Sequence, residues 1–362
     1  MRRIIIHYPF KILSSRKSAS QIRPMRILNA FKQLGYQVDL IEGYGKERSF
    51  QIKEISKAIS NGVKYDFVYS ESSTMPTLLT EKHHYPVYPL LDFGFFKLCR
   101  KHGIPIGLFY RDIYWCFPKH NPTIQERVAR WFYRYDIRRY NALVNHLFVP
   151  SVEMVKYLPD PITIPISELY PGCDIEKDLP QPLSDVRKLN ILYVGGIGSH
   201  YDLSLFMQVV QSIPDVHFTL CCRPEDWNPV KELYEPYLVN GNISVVHKNG
   251  AELRQLYADA DLFCLFVEPD KYREFAVPFK LFETVGYAKP VIASAPTWVA
   301  RFVSEQGTGL VCSYAEEELR VALQMLVSNR GYLNQYKHRV KDIQLEHTWE
   351  ARCQTIVKAL SK

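Results

Sequence analysis

The chain has 362 residues, 47% hydrophobic and 23% charged, which is ordinary for a folded globular protein and long enough for two domains. No run of about 18 apolar residues occurs and Met1–Tyr8 has too short an apolar core for a signal peptide, so neither a transmembrane helix nor export is expected; the expected location is cytoplasmic. The net charge of +7 is uneven: residues 1–172 hold 25 Lys and Arg against 14 Asp and Glu, so this part suits an anionic partner such as nucleic acid, an anionic membrane surface or a phosphorylated acceptor.

In chain order, short apolar runs alternate with longer segments of helical periodicity, the pattern of α/β layers on largely parallel sheets. Strands are expected at 3–8, 37–41, 67–70, 106–110 and 146–149, with helices between them that include 24–34 and 50–61. Residues 158–188 are rich in Pro and Asp and lack helical periodicity, as an interdomain connection would. A second series follows, with strands at 190–194, 217–222, 243–246, 262–267, 291–294 and 309–312, and a final helix at 349–360. The resulting domains are 1–172, a linker at 173–188, 189–345, and a C-terminal segment 346–362 that can pack on either domain. Two doubly wound domains in succession imply a cleft between them, with ligands beyond the carboxyl ends of the strands. The eight cysteines show no Cys-x-x-Cys pair and no metal-ligand spacing, and several lie in apolar runs. Reduced core thiols are expected, with neither disulfides nor a metal site.

Several constellations carry possible chemistry. Pro278-x-Lys280-x-x-Glu283 stands where a loop turns into a helix. A helix start supplies partial positive charge and N–H donors, Lys280 a point charge for phosphate, and Glu283 an acceptor for sugar hydroxyls. The same pair also fits a solvated i, i+3 ion pair. Strand 190–194 runs into Gly195-Gly196-Ile197-Gly198, where backbone amides can approach a pyrophosphate, although the spacing is neither that of a dinucleotide fingerprint nor of a Walker loop. Arg223, beyond strand 217–222, is a further diphosphate candidate. Arg111 and Asp112 follow strand 106–110. Asp112 suits a general base for an attacking hydroxyl, and an Arg111–Asp112 ion pair is the structural alternative. In the loop 11–20, Ser18 is a candidate for acceptor binding and Ser20 for a helix cap, and Arg111, beyond the strand at 106–110, is a second acceptor candidate. Ile124, Val128, Trp131, Phe132 and Tyr135 recur at helical spacing beside Arg127, Arg130, Arg134 and Arg138. Packing of the apolar side on the sheet accounts for most of that pattern, and a basic face for an anionic membrane is the functional reading.

The second half resembles the donor-nucleotide domain of GT-B glycosyltransferases, specifically the large group-1 family with retaining members. The resemblance spans about residues 189–360. It is carried by Tyr193-Val194-Gly195-Gly196, by Leu253 to Phe266, by Pro278-x-Lys280-x-x-Glu283, by Gly286 through Ser294, and by Thr348-Trp349-Glu350. The first half is much less similar, although its β/α order, its length and Pro171-Gly172-Cys173-Asp174 fit the acceptor domain of that fold. The resemblance implies two Rossmann-like domains facing across a cleft and transfer of a sugar from a nucleoside diphosphate sugar, of UDP or GDP type, to an acceptor hydroxyl. Glu283 would bind the ribose, Lys280 the diphosphate or transferred sugar, and Gly195–Gly196 the pyrophosphate. Lys280 and Asp112 are the catalytic candidates, with no metal or cofactor expected. The family's glutamate pair is separated by seven residues, which would place the first at Phe275. Glu274 is off register by one, and its contact with the sugar is in doubt. The Pro-x-Lys-x-x-Glu form resembles a subgroup found in bacterial capsule, O-antigen and exopolysaccharide assembly, which implies a lipid-linked saccharide acceptor and a peripheral place on the inner membrane face. A non-catalytic sugar-nucleotide or polysaccharide-binding subunit and a UDP-sugar epimerase are the alternatives. A nucleic-acid partner is not expected, since no binding motif accompanies the basic charge. The anomeric outcome is open: a true base at Asp112 favours inversion.

Overall fold

The computed structural model of the protein describes residues 2–12, 19–117, 121–185, 187–198 and 200–361, without the side chains of residues 19 and 20. Contacts divide the chain into two compact units, Met1–Gly172 with Trp349–Lys362, and Cys173–Thr348.

The first unit is built on β1 (Arg3–His7), β2 (Gln37–Ile41), β3 (Val68–Glu71), β4 (Ile106–Phe109), β5 (His146–Val149) and β6 (Ile166–Glu168). They form one parallel sheet in the order β2-β1-β3-β4-β5-β6. Helices cover both faces of such a sheet, so its inner strands read as unbroken apolar runs; Ile4, Ile5 and Ile6 are all fully buried. The strand β6, absent from the sequence expectation, is an edge strand whose three residues are only half-buried, and it therefore carries no apolar run. Two helices start earlier than expected, at Ala19–Gln33 and Gly45–Ser60. The first of these places Ser20 inside the helix, not at its cap. The final helix, Trp349–Leu360, belongs to this unit and packs against Ala19–Gln33, with Cys353 Sγ 3.7 Å from the carbonyl of Ile27. Its Trp349 lies against Gly172, where a Cβ would collide with the indole and with the Trp349 backbone, so glycine is required there by packing.

The second unit contains β7 (Leu189–Val194), β8 (Val216–Cys221), β9 (Ile243–Val246), β10 (Leu262–Leu265), β11 (Val291–Ala295) and β12 (Gly309–Ser313). All are parallel, in the order β12-β11-β10-β7-β8-β9. Read from β7, this is the 3-2-1-4-5-6 order of the doubly wound dinucleotide fold, and its direction of winding reverses between β7 and β10. The glycine turn leaves β7 at that point. The core joins Leu189, Ile191 and Tyr193 of β7 to Phe206, Met207, Val209 and Val210 of helix Ser204–Gln211 and to Leu319, Leu323 and Leu326 of helix Glu316–Ser328. Residues 173–188, expected as a linker, are part of this unit. The N–H groups of Leu183 and Ser184 donate to Asp259 Oδ1 at 2.6 and 3.3 Å, so the segment is laced to helix Leu253–Asp259 and needs no periodicity of its own.

Candidate functional site

The site grows from the switch point of the second sheet. Gly195 follows β7 with φ +153°, and its N–H donates to the carbonyl of Cys221 at 2.9 Å, continuing the ladder to β8. That amide is therefore taken up within the protein. The positive φ is what favours glycine there, and a Cβ would in addition displace Nζ and Cε of Lys280. Tyr193, buried on β7, donates its hydroxyl to the carbonyl of Gly196 at 2.6 Å and ties the turn back to the sheet.

Helix Phe279–Gly286 begins after Pro278, whose extended backbone and fixed φ of −74° set the chain at the helix entrance. Leu281, Phe282 and Val285 are buried by the core, which leaves Lys280 and Glu283 together on the remaining side, half-buried and one turn apart. The sequence allowed a solvated ion pair here; both side chains are instead half-buried, and they form no ion pair among the described residues. Among the described residues, Lys280 makes no ion pair within 4.0 Å; its Nζ instead donates to Tyr193 Oη at 3.3 Å. Glu283 has no side-chain hydrogen bond among the described residues. Burial pushes Lys280 down to about 8, against the opposing pull of Glu283 and Asp226, and burial raises Glu283 above the ordinary glutamate value, partly offset by Lys280. A cation and a carboxylate, both partly desolvated and both short of partners, stand at a helix start beside a glycine turn. That arrangement is suited to a ligand carrying phosphate and hydroxyls.

Two neighbours have structural duties. Lys289 donates to the carbonyls of Ala258 and Ala260 at 3.3 and 2.6 Å and so closes the carboxyl end of helix Leu253–Asp259. The rings of Tyr257 and Tyr287 stack in parallel at 3.8 Å. No role for Lys289, Tyr257 or Tyr287 was legible in the sequence, since the partners are far apart in the chain.

Arg223 is exposed, and Asp226 holds its fork through Nε and Nη2 at 2.8 and 2.9 Å. Asp226 lies near the glycine turn: a Cβ on Gly196 would stand 3.7 Å from its Oδ2. Glu274 is exposed and sits in the turns ahead of the helix.

In the first unit no Arg111–Asp112 ion pair occurs among the described residues. Arg111 Nη2 donates to Glu71 Oε2 at 2.9 Å, and the fully buried Glu71 also meets Arg23 Nε at 3.3 Å. Asp112 Oδ1 accepts from the backbone N–H groups of Ile113 and Tyr114 at 2.6 and 3.1 Å, forming the turn into the short helix Tyr114–Cys116. Ser18 lies outside the described residues. A buried cluster beside the switch of this sheet was invisible in the sequence. His7 is hydrogen-bonded to Ser70 Oγ and to Asp92 Oδ1, both at 2.9 Å, and Arg48 grips Asp92 through Nε and Nη2 at 3.0 and 3.1 Å. Helix Ile124–Leu143 departs from expectation as well. Its packed face is Tyr133, Asp136, Ile137 and Tyr140, whereas Ile124, Val128 and Trp131 face solvent, Trp131 at 62% exposure.

Residues 188–329, which contain the glycine turn, Lys280 and Glu283, match the family model described as glycosyl transferases group 1. That part of the second unit is similar to group 1 glycosyltransferases. Solved structures extend the likeness in fold to the whole chain. HepE of Anabaena, in complex with UDP, matches with a TM-score of 0.66 at 13% identity over 100% of both chains. A glycosyltransferase from Rickettsia africae matches with a TM-score of 0.63 at 14% identity over 99% of this chain and 98% of its own. WaaG, a glycosyltransferase involved in lipopolysaccharide biosynthesis, matches with a TM-score of 0.56 at 14% identity over 99% of both chains. No curated protein matches the sequence. The family likeness is confined to the second unit, and the solved structures extend the likeness in fold alone to the rest of the chain.

Proposed function

We propose that the protein transfers a sugar from a nucleoside diphosphate sugar to a hydroxyl of a saccharide acceptor. The observation that carries this reading is the half-buried Lys280 and Glu283, one helical turn apart and without an ion pair or carboxylate hydrogen bond among the described residues, at the switch point of a group 1 domain. Sugar transfer leaves a nucleoside diphosphate, on which negative charge grows as the bond to the sugar breaks. Lys280 at the helix start meets that charge, and its partly desolvated position strengthens the interaction. Glu283 accepts hydrogen bonds from the ribose hydroxyls, and the amide of Gly196 lines the pyrophosphate. The structures of HepE with UDP and with UDP-glucose support a UDP-type donor. Transfer is read as independent of a metal ion, because the cation at the diphosphate is a side chain; chelation with EDTA should leave the rate unchanged.

For the acceptor, the reading is a lipid-linked saccharide of cell-surface polysaccharide assembly, with Arg111 and Asp112 on the acceptor side and Arg223 reaching the diphosphate once released from Asp226. No helix of the described residues is long and apolar enough to cross a membrane. A peripheral contact is supported by helix Ile124–Leu143, where Ile124, Val128 and Trp131 at i, i+4 and i+7 face solvent beside Arg127. Titration calorimetry with UDP- and GDP-sugars, repeated on Lys280→Ala and Glu283→Ala, tests the transfer reading. Undiminished donor binding in both variants would sink it. Sedimentation with vesicles of rising anionic lipid content tests the membrane contact, which Trp131→Ser should weaken.

A further inference from the structure

Lys280 Nζ stands 4.6 Å from the ring centroid of Tyr193 and 4.8 Å from that of Tyr201. The two rings come from the two ends of the glycine turn. Tyr193 is buried on β7 and bonded through its hydroxyl to the carbonyl of Gly196 at 2.6 Å. Tyr201 is 43% exposed and closes the turn by donating its N–H to the carbonyl of Gly198 at 2.8 Å. Arg273 fastens the same turn through the carbonyl of His200. The ammonium thus has an aromatic ring on each of two approaches and the bare backbone of Gly195 on another. An aromatic face attracts a cation through its quadrupole without neutralising it. A carboxylate in the same place would hold the ammonium as an ion pair and compete with any phosphate.

We propose that Tyr193 and Tyr201 are positioning residues for the donor: together they seat the Lys280 ammonium beside the glycine turn, so that the diphosphate meets a cation already charged and placed. The seat rests on the glycosyl-transfer reading and assigns that site two residues beyond Lys280 and Glu283. It also accounts for the turn's own construction, since one hydroxyl, that of Tyr193, joins the Gly196 carbonyl to Lys280 Nζ.

The test separates the seat from the reading on which it rests. In the full-length protein without nucleotide, the Lys280 amine is titrated by NMR after reductive methylation with 13C-formaldehyde. Wild type is compared with Tyr201→Leu, Tyr201→Phe and Tyr193→Phe. The charged and titratable groups facing Lys280 are Glu283 on its own helix, Asp226 of helix Pro224–Trp227 and Cys264 of β10, besides the two tyrosines, and the Leu and Phe variants of Tyr201 share all of the others. Loss of the ring withdraws a stabiliser of the cation, so the midpoint in Tyr201→Leu should fall by about half a pH unit, while Tyr201→Phe stays at the wild-type value. UDP, and GDP in parallel, should bind Tyr201→Leu and Tyr193→Phe roughly three- to tenfold more weakly at pH 7.5, with Tyr201→Phe unchanged. The alkaline limit of binding should move with the amine. A midpoint that stays at the wild-type value in both Tyr201→Leu and Tyr193→Phe overturns the seat. Failure of wild type to bind either nucleotide overturns the glycosyl-transfer reading instead, whatever the amine titration shows.

Discussion

The two units share one architecture and treat charge in opposite ways. Beside the strand ends of the first sheet, buried ions are matched: Asp92 is held by both His7 and Arg48, and Glu71 by both Arg23 and Arg111. Burial alone would raise Asp92, yet the hydrogen bond from His7 and the charge of Arg48 bring it below the ordinary aspartate value. Beside β7 and β10 of the second sheet, Lys280 and Glu283 are shifted toward their neutral forms, and neither forms an ion pair among the described residues. One set of polar groups completes a fold, and the other, on the proposed reading, is completed by a ligand. Burial of a polar side chain does not by itself distinguish structure from function; the state of its partners does.

That contrast can be broken most forcefully at Asp92. Asp92→Ala strands the buried Arg48 guanidinium and should cost about 3–5 kcal/mol in urea unfolding of the first unit. A loss below about 1 kcal/mol would mean the cluster is solvated and the contrast false. Lys280→Met tests the opposite side: kcat should fall by roughly 10²–10³, the range for removal of a single donor to developing charge, with stability unchanged or raised.

The pH dependence has a defined sign. The folded pKa of Lys280, about 8, lies below the ordinary 10.5, so the charged amine opposes folding at lower pH. The opposition is relieved as pH rises from about 8 toward 10.5, and ligand-free wild type should gain stability relative to Lys280→Met across that window. Donor binding should weaken over the same window as the cation is lost.

Glu283→Gln comes next. It keeps the shape and one acceptor but removes the charge, and the KM for the donor should rise about tenfold or more with a smaller change in kcat. Arg223→Ala should have the smallest effect, within about threefold on donor affinity, because the side chain is exposed and already engaged by Asp226. No loss at all would show that Arg223 stays with Asp226 and does not reach the diphosphate.

Much of the framework was legible because it is written in local periodicity. β2, β5 and β9 and the helix Trp349–Leu360 lie where the apolar runs placed them. β6 was not legible, since a half-buried edge strand lacks the two-sided apolar signature. Helix Ile124–Leu143 was legible as a helix and misread as to its buried face. Its packed side includes Asp136, whose Oδ2 accepts from the N–H of Thr77 at 2.7 Å, while Ile124, Val128 and Trp131 stay in solvent. Hydrophobicity alone pointed to the wrong side, because a tertiary hydrogen bond let a carboxyl group be buried.

By itself, the sequence determined the alternating α/β series, the glycine turn after a strand, and a lysine and glutamate one turn apart at a helix start. These depend on neighbours within a few residues. Only the tertiary structure decided that Arg111 answers Glu71 and not Asp112, that residues 173–188 belong to the second unit, and that Lys280 rests between Tyr193 and Tyr201 against Gly195. Each of those contacts joins groups from separate elements, and whether a polar group finds its partner depends on where parallel strands end side by side, which no local pattern encodes.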